Sequence, residues 1–340
     1  MDVSIEDLLP GQAESGTDLA PETLHEMYRY MLLARAIDER MWILNRAGKA
    51  PFVISCQGHE AAQVGSAFAL MRGKDFTLPY YRGLATVLVM GMTATEVMLS
   101  LFARAADPNS GGRQMPAHYS SRRLKIITQS SPVGTQIAHA AGVGLAEKIK
   151  RGDAVVWTSF GEGTTSQGDF HEGINLAAVH QLPVIFQCEN NEYAISVPQK
   201  MQMAVASVAD RAVAYGIPGV SVDGTDVLTM YEVTRRAVER ARRGDGPTLI
   251  EARVVRLTAH SSDDNDRTYR PQRELKNLRH QDPVIRFAQH LNDHDLISEA
   301  EDKELREAIA AEVDEATDVA EKAPMADPET LYDHVYAPSS

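Results

Sequence analysis

Several features on which many proteins depend are scarce in this sequence of 340 residues. It has only two cysteines, Cys56 and Cys188, which fits a reducing cytosol better than a disulfide framework. Its longest apolar runs, such as residues 85–92, are far too short to span a bilayer. Basic residues number 34 against 47 acidic ones, and the net charge of −13 argues against nonspecific binding to nucleic acid or to anionic membranes. The acidic N-terminal segment lacks the marks of a signal or transit peptide, so we expect a cytoplasmic protein.

The most informative stretch runs from Ala154 to Ser196. An apolar run at 155–157 leads to Gly-Glu-Gly at 161–163, a helical segment follows, and a second apolar run at 184–186 ends in polar residues up to Asn191. This order predicts two parallel strands joined by a right-handed helical crossover. Both polar clusters would then lie at the carboxyl edge of the sheet, where open α/β sheets bind ligands.

The chemistry of these two clusters predicts a magnesium–diphosphate site. Gly161 and Gly163 permit close approach of the backbone to an anion, and the start of the following helix offers free N–H groups. Glu162 would repel a phosphate unless a cation lay between them. Together with the amide oxygen of Asn191, its carboxylate forms part of an oxygen ligand set that Mg²⁺ completes with diphosphate oxygens and water.

A dinucleotide-binding fold is the alternative for this stretch. Glu189, at the end of the second strand, could imitate the acidic residue that holds a ribose. The third glycine of that fingerprint should fall at position 166, which is a serine, and the next glycine is Gly168. The glycine spacing therefore argues against NAD.

Other polar clusters allow both a structural and a functional interpretation. Arg82, in Pro-Tyr-Tyr-Arg, suits bidentate phosphate recognition but also an ordinary surface turn. The long polar loop at 106–121 favours function, because such loops are uncommon in compact domains. The serines before Pro132 predict a capped start for the helix at 137–150, or an ion site there. We interpret His59 as a capping or loop histidine.

The acidic loop after residue 257 begins with His260. Its simplest interpretation is a solvated turn, and it lacks the glycine and the terminal glutamate of an EF-hand calcium loop. A histidine directly after a strand is also placed for proton transfer near neutral pH.

The chain is long enough for one large domain with extensions. We predict a flexible arm at 1–20, an α/β domain at 21–275 and a helical extension at 276–340 that packs on the core or on a partner.

Five motifs, in their order along the chain, resemble the α chain of the first component of 2-oxo acid dehydrogenases: PYYR, GRQMPAHY, SSPVGTQ, the central stretch and HSSDDNDRTYR. In the central stretch, Gly-Glu-Gly, 26 residues and Asn-Asn are similar to the thiamin diphosphate motif. The likeness runs from about Pro21 onward, and the histidine loop resembles branched-chain (2-oxoisovalerate) members more than pyruvate members. It implies the thiamin diphosphate-binding fold, which is a doubly wound, mostly parallel α/β sheet with helices on both faces. It also implies thiamin diphosphate and Mg²⁺ as cofactors, and K⁺ as a structural ion of some branched-chain members.

The resemblance assigns roles to matching positions. The Mg²⁺ ligands would be Glu162, Asn191 and the carbonyl of Tyr193. The cofactor contacts would be Tyr81, Arg82, Ser131, Val133, Gly161, Gly163, Thr164, Asn191 and His260. The K⁺ positions would be Ser130, Pro132, Thr135 and Gln136. The residues near the substrate would be Phe52, Tyr81, Met115 and His118, with His260 as the catalytic residue.

One position departs from relatives, and another matches a regulatory position in some of them. Glu189 stands where some mammalian relatives have arginine, which puts a direct phosphate contact there in doubt. Ser261 occupies the place of a regulatory phosphoserine in mitochondrial members, but nothing in the chain points to a mitochondrion.

The implied activity is thiamin-dependent oxidative decarboxylation of a 2-oxo acid, with transfer of the acyl group to the lipoyl arm of an acyltransferase component. In this family the glutamate that activates the cofactor lies on a separate β chain, so the active site should form between α and β chains, two of each. A pyruvate or acetoin substrate, an NAD-dependent dehydrogenase and a noncatalytic subunit remain alternatives. The presence of Glu162, Asn191, Arg82 and His260 together argues against the last.

Overall fold

A computed structural model describes residues 19–128, 130–333 and 335–336, so nearly all of the predicted arm at 1–20 lies outside the described residues. The centre of the fold is a parallel sheet in the order β1-β2-β3-β7-β6. The strands are β1 (Phe76–Leu78), β2 (Val156–Gly161), β3 (Val184–Asn190), β6 (Gly219–Asp223) and β7 (Thr248–Arg253), and a short antiparallel ribbon consists of β4 (Tyr193–Ala194) and β5 (Val197–Pro198).

The α-helices within the described ranges are α1 (Pro21–Arg46), α2 (Glu60–Phe68), α3 (Leu84–Val89), α4 (Ala94–Leu101), α5 (Thr135–Lys150), α6 (Gly168–Val179), α7 (Val227–Arg242), α8 (Gln272–Leu278), α9 (Pro283–Asp293) and α10 (Glu299–Lys322). Short 3₁₀ turns span Glu162–Ser166, Gln199–Met201, Ala209–Tyr215, Asp266–Thr268, Arg279–Gln281 and Pro328–Tyr332.

Hydrophobic cores lie on both faces of the sheet. Val155 and Trp157 pack in a cluster with side chains of α1–α4, α7, α9 and α10. Val156 and Phe160 point to the opposite face and pack against α5 and α6. Successive residues of a strand face opposite sides, so apolar residues at consecutive positions are what a sheet buried on both faces requires. The predicted doubly wound parallel fold is confirmed.

Two local predictions near the central stretch were wrong. Helix α5 begins at Thr135, and its N-cap is Gly134 at φ 107°, without a side-chain cap, so the serines before Pro132 do not cap it. A 3₁₀ turn occupies Glu162–Ser166, so α6 starts only at Gly168 and its free N–H groups do not directly follow Gly163.

The sequence at 205–217 also predicts a helix, and this prediction is wrong. The structure has a 3₁₀ turn at Ala209–Tyr215, which ends at Gly216 in the left-handed region at φ 66°. A buried carboxylate reaches the start of this turn, because Glu251 accepts hydrogen bonds from the hydroxyl of Ser207 and the N–H of Val208. Tertiary contacts therefore set the geometry of this segment more than its own periodicity does.

Cys56 and Cys188 are buried free thiols, as expected for a chain without a disulfide framework. Across the described ranges, no helix combines the length and the apolar character needed to cross a membrane. Helices α9 and α10 join the same core as α1, and the predicted domain boundary at 275/276 stays a prediction.

Candidate active site

The site begins where β2 and β3 end side by side. Gly161 is in register with Glu189, so Glu162 and Asn191 leave neighbouring strands at the carboxyl edge. The N–H of Asn191 lies 3.4 Å from Oε2 of Glu162. Oε1 of Glu162 is buried and has no hydrogen-bond partner among the described residues. Burial raises the pKa of Glu162, while Arg256 and Arg82 oppose this rise. A buried carboxylate oxygen without a donor fits a cation ligand.

Asn191 has a defined amide orientation. Its Oδ1 accepts the N–H of Tyr193 at 3.2 Å, and its Nδ2 faces Nε2 of His59 at 3.4 Å. Glu192 and Ile195 hold the following loop in the left-handed region at φ 68° and 56°. This is uncommon for residues with side chains and marks a loop that its surroundings constrain. The arrangement leaves the second lone pair of Oδ1 free to accept a ligand.

Gly163 lies beneath the β4–β5 ribbon. A Cβ added at Gly163 would come within 2.7 Å of the Cβ of Ala194, whereas one added at Gly161 would meet nothing within 4 Å. The close approach of the turn to the ribbon therefore requires glycine at 163 but not at 161. Thr164 is buried directly after it.

We expect Gly163→Ala to lower the free energy of unfolding by about 1–3 kcal/mol, because the added methyl group must push two backbone segments apart. The matched variant Gly161→Ala should leave it nearly unchanged. Gly161 has φ −85° and ψ 164°, which alanine adopts without strain. The measurement is thermal unfolding of the co-purified α and β chains without cofactor. Equal unfolding midpoints for the two variants would contradict the packing argument.

Positive charge faces the same edge. Arg82 is buried at 2 % exposure, donates to the carbonyl of Ser55 through Nη1 and places Nη2 3.3 Å from Nδ1 of His260. Burial, with the charges of Arg82 and Arg256, lowers the pKa of His260 to about 3. The His260 ring also meets Tyr81 edge-on, with ring centroids 6.0 Å apart. His260 is therefore neutral near pH 7, and its Nδ1 is available to accept the hydrogen bond from Arg82.

Sequence reasoning missed two arginines of this site. Arg256 is buried and donates Nη2 to the carbonyl of Ile195 and to the hydroxyl of Tyr269, at 3.0 and 2.9 Å. Its Nε and Nη1, and Nη1 of Arg270, have no partner within the described part of the chain. Such unpaired buried donors beside Arg82 suit a multiply charged anion. The available signal was the position of Arg256 directly before the acidic loop that follows residue 257.

The histidine loop folds back on itself. The backbone N–H of His260 donates to Asp264 at 2.8 Å, and the hydroxyl of Tyr269 donates to the same carboxylate. Ser262 exchanges hydrogen bonds with Val53, which places the neighbouring Phe52 next to this loop. The structure thus brings Phe52, Tyr81 and Arg82 around the loop of His260.

The remaining predicted residues form a second group. Nε2 of His118 lies 2.6 Å from the hydroxyl of Ser131 and so connects the loop at 113–119 to the turn at 130–134. Val133 is half-buried in that turn, and Met115 is 47 % exposed.

The predicted potassium positions lie in the same turn. The hydroxyl of Ser130 donates to the carbonyl of Pro132 at 2.8 Å and lies 2.7 Å from the hydroxyl of Thr135. Gln136 accepts the N–H of Gly134 and donates to the carbonyl of Ser159 on β2. The turn gathers hard oxygen atoms, which fits a monovalent cation.

Within the described ranges there is no cluster of three or more histidine, cysteine or acidic side chains arranged for a metal. The Mg²⁺ set assigned to Glu162, Asn191 and the Tyr193 carbonyl has a single carboxylate. It suits an ion that takes its other ligands from phosphate oxygens and water, as Mg²⁺ does in phosphate-binding sites.

The fold and this edge define an open α/β protein with a ligand site outside the carboxyl ends of its strands. Residues 28–329 match the model of the dehydrogenase E1 component family, and the chain belongs to that family. It is 56 % identical to the 2-oxoisovalerate dehydrogenase subunit alpha of Bacillus subtilis over 312 residues. This alignment covers 92 % of this chain and 94 % of the relative.

More distant relatives point to both substrate classes. A 3-methyl-2-oxobutanoate dehydrogenase subunit alpha of Mycobacterium tuberculosis is 37 % identical, covering 94 % of this chain and 84 % of the relative. A pyruvate dehydrogenase E1 component subunit alpha of Staphylococcus aureus is 38 % identical, covering 91 % and 79 %. The family is thiamin diphosphate-dependent, and an α subunit of this kind implies a β subunit and a complex. The resemblance drawn from the motifs is confirmed.

Proposed function

We propose that this chain is the α subunit of the decarboxylating component of a branched-chain 2-oxo acid dehydrogenase complex. The observation that carries this proposal is the arrangement at one sheet edge of Asn191, the buried arginines and a Glu162 carboxylate oxygen that has no hydrogen-bond partner among the described residues. The relative named for 2-oxoisovalerate is 56 % identical, against 38 % for the relative named for pyruvate, which favours the branched substrate.

The residues fit the expected cofactor. Glu162, Asn191 and the Tyr193 carbonyl would hold Mg²⁺, and Arg82 and His260 would lie near the diphosphate. Gly161, Gly163 and Thr164 would line its approach, as would Ser131 and Val133 from the neighbouring turn. When bound, thiamin diphosphate supplies the electron sink for loss of carbon dioxide. Arg256, which the motifs did not assign, would add to the diphosphate side two N–H donors that have no partner in the part of the chain that the structure describes.

The other assignments complete the proposal. Phe52, Tyr81, Met115 and His118 would line the substrate side, and a structural K⁺ would bind the turn of Ser130, Pro132, Thr135 and Gln136. The assembly would contain two α and two β chains and deliver its acyl group to a lipoyl-bearing acyltransferase. The two buried free thiols suit a reducing compartment, and we place the complex in the cytoplasm.

The test is dye-coupled oxidation of 3-methyl-2-oxobutanoate and of pyruvate by this chain co-expressed with its β partner, with and without thiamin diphosphate and Mg²⁺. We expect activity that requires both cofactors and a preference for the branched acid. A preference for pyruvate would keep the chemistry and show that the histidine loop misleads about the substrate. Activity supported by NAD without thiamin diphosphate would refute the proposal.

A further inference from the structure

A buried carboxylate beside the site has no part in the roles assigned above. Glu189, at the end of β3, is fully buried and receives three donors at Oε2. They are Nδ1 of His59 at 2.7 Å, Nε2 of Gln63 at 2.9 Å and the hydroxyl of Tyr80 at 2.9 Å. Burying a carboxylate is costly even when it is hydrogen-bonded, so a buried group of this kind calls for a reason.

The contacts of Glu189 determine the roles of the two His59 ring nitrogens. Since Oε2 of Glu189 accepts, Nδ1 of His59 carries the proton and donates. In a neutral ring the other nitrogen, Nε2, then accepts. It faces Nδ2 of Asn191 at 3.4 Å. The N–H of Tyr193 requires an acceptor at Oδ1 of Asn191. Both contacts demand the same orientation of the Asn191 amide.

We propose that Glu189 and His59 are positioning residues that turn the Asn191 amide so that its oxygen faces the metal. This inference rests on the proposed function, in which Asn191 is a Mg²⁺ ligand. Partners that orient a metal ligand in this way typically influence metal affinity 10- to 100-fold. The proposed role gives a physical reason for the glutamate at position 189, where some mammalian relatives have arginine. The side chain points inward and orients a ligand, whereas an arginine at this position could contact phosphate.

The same carboxylate also reaches the arginine side of the site. Gln63 donates through Nε2 both to Glu189 and to the carbonyl of Arg82, and its Oε1 accepts the N–H of Ala85 at 3.0 Å. Gln63 therefore ties the turn that carries Arg82 to the residue that orients the metal ligand. The Glu189 carboxylate is thus connected to Asn191 through His59 and to the turn of Arg82 through Gln63.

Two substitutions at His59 separate the two contacts. His59→Asn keeps a donor near the place of Nδ1 and loses the contact with Asn191, whereas His59→Gln keeps a polar atom near the place of Nε2. The measurement is Mg²⁺ affinity of the co-purified α and β complex, by calorimetric titration at saturating thiamin diphosphate. We expect His59→Asn to weaken Mg²⁺ binding about 10- to 100-fold and His59→Gln to stay closer to the unchanged protein.

Tyr80→Phe is the control for the network, because it removes a donor from Glu189 without touching Asn191. It should leave Mg²⁺ affinity almost unchanged. Equal Mg²⁺ affinity for His59→Asn and His59→Gln, at any level, would overturn the inference, as would a loss in Tyr80→Phe as large as in His59→Asn. Glu162→Gln serves as the reference. If that variant keeps its Mg²⁺ affinity, the proposed metal site itself fails; if only His59→Asn keeps it, the positioning role alone fails.

Discussion

Replacing Glu162 by alanine is expected to abolish Mg²⁺-dependent binding of thiamin diphosphate. Glu162 supplies the single carboxylate of the proposed ligand set, and its Oε1 is buried without a donor in the described part of the chain. Losing it removes both the negative charge and a ligand atom. We therefore expect the Mg²⁺ dissociation constant to rise by more than the roughly 100-fold that a partner of a metal ligand can cost.

The experiment is a calorimetric titration of thiamin diphosphate into the α and β complex, with and without Mg²⁺. Glu162→Gln keeps the volume of the side chain and separates loss of charge from loss of packing. Glu172→Ala, at an exposed position of α6, is the matched control for removal of a carboxylate nearby. Mg²⁺-dependent affinity that survives in both Glu162 variants would remove this residue from the metal site.

The strand–helix–strand unit could be predicted because its signals are local. Buried strands read as continuous apolar runs, and glycines and polar residues mark their ends at Gly161 and Asn191. The crossover rule then places both ends at one edge, and the structure has them adjacent. Predictions from the local sequence were wrong where tertiary contacts determine the backbone conformation. The serines before Pro132 resemble caps, but Gly134 in the left-handed region starts α5 instead.

The interior of the site could not be predicted, because its contacts join distant parts of the chain. His59 and Glu189 are 130 residues apart, so no periodicity or spacing relates them. As a single residue, His59 had to be interpreted by the common case of a loop or capping histidine. It does occupy the N-cap of α2, but without a side-chain capping bond. Its ring is fully buried against Glu189 instead, and only the folded sheet shows that relation.

Arg256 is a second residue whose role in the site could not be predicted from the sequence. An arginine near the end of a predicted strand most often faces solvent. Here its guanidinium lies against the rings of both Tyr193 and Tyr269, 5.6 and 5.9 Å from their centroids. Those rings arrive from two different loops, which the fold alone brings together. Buried arginines with unpaired N–H groups are therefore features that only the structure can reveal.

Replacing His260 by alanine should leave cofactor binding largely intact and reduce turnover by about 100- to 10,000-fold, the usual range for a positioned proton donor or acceptor. Arg82 keeps its contact with the carbonyl of Ser55 and does not need the His260 ring to stay in place.

Because the pKa of His260 lies near 3, its imidazole is neutral at pH 6 and at pH 8 alike. With Nδ1 facing Arg82, Nε2 carries the proton and is a neutral donor. The loss should then be the same factor at both pH values in steady-state assays of the α and β complex. If His260 acted as an imidazolium, the advantage of the unchanged protein would shrink as the pH rises, and full activity of His260→Ala would make the residue a bystander.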